Sequence, residues 1–114
     1  MQHLTMMAIG FWMLLAHLLY DFHWQGVSIG ENKSKYKSIL GLHSLTWALI
    51  VYAPIFIYTG VLSLDFISFL FVTHFFTDAW KGMYPTEDQY FWTLYVDQVI
   101  HLVSMLVILY LCTV

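Results

Sequence analysis

The chain has 114 residues, of which 61% are hydrophobic, 19% aromatic and only 10% charged, with a formal net charge of −3. A soluble domain carries roughly 25% charged residues, so this chain cannot cover a globule with polar groups, and its mean hydropathy of +0.72 makes lipid the expected solvent. Four cations with no basic stripe exclude a nucleic-acid partner, and a single cysteine, Cys112, excludes an internal disulfide.

A membrane helix needs about 20 mainly apolar residues, and four segments qualify. The first runs from about Leu4 to Trp24. It lacks a basic n-region and a following small-residue cleavage site, so it reads as a retained helix and not a signal peptide. A polar stretch from Gln25 to Lys37 follows, then a second helix from about Ser38 to Tyr58, with Pro54 expected to kink its far end. Thr59-Gly60 begins a tight turn. The third helix runs from about Leu62 to Trp80, the connection Lys81 to Gln89 follows, and the fourth helix covers about Tyr90 to Leu111. The pattern predicts an all-α integral-membrane four-helix bundle, a single transmembrane domain over residues 1–114 with up-down-up-down topology.

All four lysines (Lys33, Lys35, Lys37, Lys81) lie in the first and third connections. The positive-inside rule makes that side cytoplasmic and puts both termini outside. Trp24, Tyr36, Trp80, Tyr84, Tyr90 and Trp92 mark the same boundary, as an aromatic belt would.

Besides His23 and Asp65, which read as interfacial, seven ionisable residues interrupt the apolar runs: His17, Asp21, His43, His74, Asp78, Asp97 and His101. At 1.5 Å rise per residue all of them fall within roughly 5–15 Å of the cytoplasmic boundary. His17-x3-Asp21 recurs as His74-x3-Asp78, 57 residues later, and His43 recurs as His101 after 58. This points to two copies of a helical hairpin, 1–58 and 59–114, with Asp97 outside the repeat. Such units share one orientation, so their pseudo-twofold axis would lie along the membrane normal.

Residues i and i+4 share a helix face, so His17 and Asp21, His74 and Asp78, and Asp97 and His101 each point one way. A carboxylate facing lipid costs about 2.5–3.5 kcal/mol, so the three aspartates face inward and meet. Carboxylates a few ångströms apart repel, and a divalent cation removes that cost. Imidazole and carboxylate ligands suit Zn, Mn or Fe. The seven residues are therefore candidate ligands for one ion with supporting partners, or for two ions with Asp97 bridging. A proton or ion relay and a purely structural polar network are the rival readings of the same layer. Lys81, Gln25 and Gln98 are the candidate substrate-binding or supporting side chains beside it.

His17-x3-Asp21-Phe22-x2-Gln25, Glu31-Asn32-Lys33-Ser34 with His43, His74-x3-Asp78-x2-Lys81 and Asp97-Gln98-x2-His101 together resemble the domain-of-unknown-function 3307 family, small membrane proteins of bacteria and their phages. The resemblance covers nearly the whole chain. It implies a polytopic protein of the bacterial inner membrane and singles out these polar positions; it implies no particular activity. From the residues, the leading expectation is a metal-dependent hydrolase of a lipid-linked or phosphorylated substrate. Asp97 would be metal bridge or general base, with Lys81 as an electrostatic clamp. The alternatives are a non-catalytic membrane partner of a host complex and a transport element. An oligomer is compatible with all three.

Overall fold

A computed structural model describes residues 3–24, 36–85 and 87–113, without the side chains of residues 23, 24 and 113. Gln25, Lys33 and Lys35 lie outside the described residues. The described residues form four helices: α1 (His3–Leu19), continued by a π-helical turn (Tyr20–Trp24), α2 (Lys37–Thr59), α3 (Leu64–Lys81) and α4 (Trp92–Thr113), the last preceded by a 3₁₀ turn (Asp88–Tyr90). Each helix packs on its chain neighbours, and α1 closes the ring against α4. The long axis measures 44 Å, close to the roughly 40–45 Å of a bilayer with its headgroups.

Three of the spans are long and apolar enough to cross a membrane: His3–Phe22, Lys37–Thr59 and Asp88–Cys112. The remaining helix, α3, has 18 residues and includes Asp65, Asp78 and Lys81. Asp78 is buried against the other helices, Lys81 is partly buried, and Asp65 is exposed in the first turn.

The bundle is apolar outside and polar within. Leu4, Met7, Phe11, Ile57, Phe76, Val99, Leu106 and Tyr110 all face outward. Such a surface is stable in hydrocarbon and would aggregate in water. One part of the interior is apolar, built from Ile9, Met13, Val51, Tyr52, Ile55, Ile67, Leu70, Met105 and Ile108. The remainder holds His17, Asp21, His43, His74, Asp78, Asp97 and His101.

The connection between α2 and α3 is short because its geometry is pinned. Gly60 takes a left-handed conformation (φ 71°) and its N–H donates to the Phe56 carbonyl at 2.7 Å, the usual way a helix ends on glycine. Tyr52 Oη then donates to the Val61 carbonyl (2.7 Å) and accepts from the Ser63 N–H (3.1 Å). Ser63 caps α3 by accepting from the Phe66 N–H. Helix α2 runs through Pro54 without a break in its helical assignment.

Candidate metal centre

Each helix delivers its polar residues for a local reason. On α1, His17 sits in the last regular turn and Asp21 in the π-helical turn that follows. Such widened turns recur at functional sites, where they re-aim a side chain. On α3, His74 and Asp78 stack at i, i+4, with His74 Nε2 3.2 Å from Asp78 Oδ2. On α4, Asp97 and His101 do the same, with Oδ1 and Nε2 2.9 Å apart. From α2, His43 reaches across to both Asp21 Oδ1 (3.4 Å) and Asp78 Oδ2 (3.3 Å).

The donor atoms form two groups that share one residue. His43 Nε2, His74 Nε2 and Asp78 Oδ2 make a triangle with edges of 2.9, 3.3 and 3.2 Å. Asp21 Oδ1 lies 3.4 Å from the first of these atoms and 3.9 Å from the second. On the other side, His101 Nε2 lies 3.4 Å from Asp78 Oδ1 and 2.9 Å from Asp97 Oδ1. With metal–nitrogen bonds of about 2.0–2.1 Å, the edges of a coordination polyhedron are about 2.9 Å (octahedral) to about 3.4 Å (tetrahedral). The observed spacings fall in that range for most edges. His43, His74 and Asp78 could hold one ion, and Asp78, Asp97 and His101 another; Asp21, His74 and His101 form a third compatible trio.

Direction adds to distance. His101 Nε2 and Asp97 Oδ1 are buried and 2.9 Å apart, yet among the described residues neither makes a well-aligned hydrogen bond. Buried polar atoms are normally hydrogen-bonded. Two that approach each other off-axis are arranged like ligands aimed at a common centre.

His17 is placed differently. The Trp47 Nε1–H donates to its Nδ1 at 2.9 Å. An indole can only donate, so Nδ1 is the unprotonated nitrogen and Nε2 carries the hydrogen. Nε2–H then donates to Gln98 Oε1 (2.8 Å), and Gln98 Nε2–H donates to Asp97 Oδ2 (3.0 Å). Lys81 Nζ donates to the same oxygen at 3.2 Å. The 3.7 Å approach of His17 Nδ1 to Asp21 Oδ2 is then a contact between two acceptors. With both ring nitrogens in use, His17 stands beside the ligand groups, and the direction of every bond from Trp47 to Asp97 is fixed.

Trp47 was not among the residues singled out from sequence. It is fully buried, stacks on His74 (ring centroids 4.2 Å apart), and His74 stacks in turn on His101 (4.1 Å). Tyr20 stacks on His43 at 5.4 Å. His74 Nδ1 and His101 Nδ1 have no hydrogen-bond partner among the described residues, so stacking adds to the Nε2 contacts, including the His74–His43 hydrogen bond, in orienting these two rings. The available signal was spacing: Trp47 follows His43 by four residues and shares its helix face.

The family described as Protein of unknown function (DUF3307) matches residues 9–114. The chain belongs to the DUF3307 family. No curated protein and no solved structure matches it. Of the residues marked from the DUF3307 resemblance, the structure brings six histidines and aspartates into these donor groups, with His17, Gln98 and Lys81 at their edge.

Proposed function

We propose that this DUF3307 protein is a metal-dependent membrane hydrolase with a two-ion centre near the cytoplasmic face of the bacterial inner membrane. Both termini lie on the opposite side, and the substrate is lipid-linked and phosphorylated. The observation that carries the reading is the position of Asp78. One of its oxygens faces His43 and His74, and the other faces His101. Ions in two-metal hydrolases sit about 3.5–4 Å apart, and the stacked imidazoles of His74 and His101, at 4.1 Å, fit one ligand on each.

Zn²⁺, Mn²⁺ or Fe²⁺ at this donor set would supply Lewis-acid polarisation of a phosphoryl oxygen and of water. The chain's own residues do the rest. Asp78 would be the bridging residue, the role that the sequence suggests for Asp97. Asp97 would offer Oδ1 to the ion while Gln98 and Lys81 hold Oδ2; with that oxygen already accepting two bonds, Asp97 is better suited to ligation than to removing a proton. His17 is a positioning residue acting through Gln98. Lys81, one-quarter exposed, faces arriving anionic substrate. Among the described residues, the apolar interior around Ile9, Val51, Ile55, Leu70 and Ile108 offers no polar path onward, which weighs against the transport reading. The match of His17, Asp21 and His43 with His74, Asp78 and His101 supports descent from a duplicated hairpin.

Elemental analysis of the detergent-purified chain tests the proposal. After reconstitution with Zn²⁺ or Mn²⁺ and desalting, about two ions per chain are expected. Asp78→Asn should lower that content with helicity unchanged. Equal content in wild type and Asp78→Asn, or none in either, ends the reading.

A further inference from the structure

Lys81 belongs to two features at once. Its Nζ donates to Asp97 in the polar layer, and the residue also lines a cavity of about 290 Å³ between the end of α3 and the start of α4. The same cavity is lined by Tyr84, Glu87, Asp88 and Tyr90. Lys81 suits an anionic phosphate. The carboxylates of Glu87 and Asp88 do not, because like charges at a mouth oppose entry of a simple anion. Both are exposed, and Gln89 Nε2–H donates to Glu87 Oε2 at 2.9 Å, which holds that carboxylate in place. The site is therefore cationic at its inner end and anionic at its outer end.

The surrounding rings fix its depth. Trp80, Tyr84, Tyr90 and Trp92 pack edge to face or tilted, with Trp80–Tyr84 at 5.3 Å, Tyr84–Trp92 at 5.4 Å and Tyr84–Tyr90 at 5.7 Å. Aromatic residues of this kind sit at headgroup level. From this arrangement we infer that the cavity is the headgroup site for a phospholipid whose phosphate carries a primary amine beyond it, as phosphatidylethanolamine does. The phosphate lies toward Lys81. The ammonium donates to Glu87 and Asp88 and lies against the tyrosine rings, where a cation is favoured. This assignment rests on the reading above, in which Lys81 receives the substrate phosphate, and it names the class of that substrate.

The test uses the full chain in phosphatidylglycerol nanodiscs, doped with phosphatidylethanolamine or phosphatidic acid of matched acyl chains. Lipid retention is read by native mass spectrometry. The ethanolamine lipid should be retained over phosphatidic acid by roughly two- to fivefold per carboxylate, the size of an exposed ion pair. E87Q/D88N should abolish that preference, and Lys81→Met should weaken retention of both lipids. Equal retention by wild type, or a preference that survives in E87Q/D88N, overturns the inference. Metal content measured on the same samples separates the two readings. A preference without bound metal sinks the metal centre and leaves the headgroup site standing; full metal without preference does the reverse.

Discussion

Trp47→Phe removes one donor from a fully buried acceptor. Trp47 and His17 are both 0% exposed, and the bond between them is 2.9 Å long. Leaving His17 Nδ1 without a partner costs about 1–3 kcal/mol. The smaller ring also leaves a void beside His74, which adds a cavity cost to the single-mutant value. A double-mutant cycle with His17→Ala removes that complication, because the void and the orphaned Gln98 Oε1 appear in both arms. Interhelical hydrogen bonds in membrane proteins average about 0.6 kcal/mol in such cycles and reach about 1.7. This one has no access to water at either end and sits in a chain of fixed polarity, so a coupling of about 1–1.7 kcal/mol is expected. Unfolding in mixed micelles by SDS titration, followed by far-UV circular dichroism, gives the four stabilities. A coupling below about 0.3 kcal/mol, within the additivity of independent sites, would refute the directed chain from Trp47 to Asp97.

Three further outcomes follow from local geometry. Tyr52→Phe removes one donor and one acceptor from the α2–α3 turn and should destabilise by about 1–2 kcal/mol in the same assay; an unchanged midpoint would mean the turn holds itself. Gly60→Ala meets no atom within 4 Å of the added carbon but must occupy φ 71°, so its cost should be backbone strain alone, about 1–2 kcal/mol. Gln98→Leu leaves His17 Nε2–H without its acceptor and takes one of two donors from Asp97 Oδ2; metal affinity by chelator competition should fall about 10–100-fold with helicity intact, and unaltered affinity would uncouple this chain from the centre.

Some of this arrangement was legible because polar residues in apolar runs have few places to go. A histidine and an aspartate four apart in hydrocarbon must face inward. That logic found His43, His74, Asp78 and His101 as neighbours, and the helices fall where the apolar runs do. It could not rank the aspartates. Asp97 is the residue without a repeat counterpart and drew attention for that reason; Asp78 proved central because its helix faces both α2 and α4, a fact of packing order and not of pattern. Nor could it separate the clustered donor atoms from the side chains that support them. His17 and His74 occupy matching positions, but Trp47 faces the first as a donor and the second as a stacking surface. At the spacing that links His43 to Trp47, α4 carries Met105 after His101. A tryptophan in a hydrophobic run reads as packing until its N–H is seen to have one acceptor. The π-helical turn at Tyr20–Trp24 has no signature in the sequence.

The pair Lys81–Asp97 tests whether the layer is built to hold cations or to be complete without them. Asp97 is 1% exposed and Lys81 26%, with 3.2 Å between Nζ and Oδ2. The pair lies between the exposed case, worth about 0–1 kcal/mol, and the buried case, where removing one partner costs about 3–5. Lys81→Met should therefore destabilise the metal-free chain by about 2 kcal/mol. A divalent ion beside Asp97 Oδ1 supplies the charge that Lys81 no longer does. In Zn²⁺ at about 100 times its dissociation constant, binding itself adds about 2.7 kcal/mol, and the difference between Lys81→Met and wild type should shrink to under about 1 kcal/mol, the exposed-pair limit. In a purely structural network no such compensation exists, and the difference would be the same with and without Zn²⁺. The sign of that change, read from paired unfolding curves of the two proteins with chelator and with Zn²⁺, separates a metal centre from a polar core through stability alone, with no assumption about substrate.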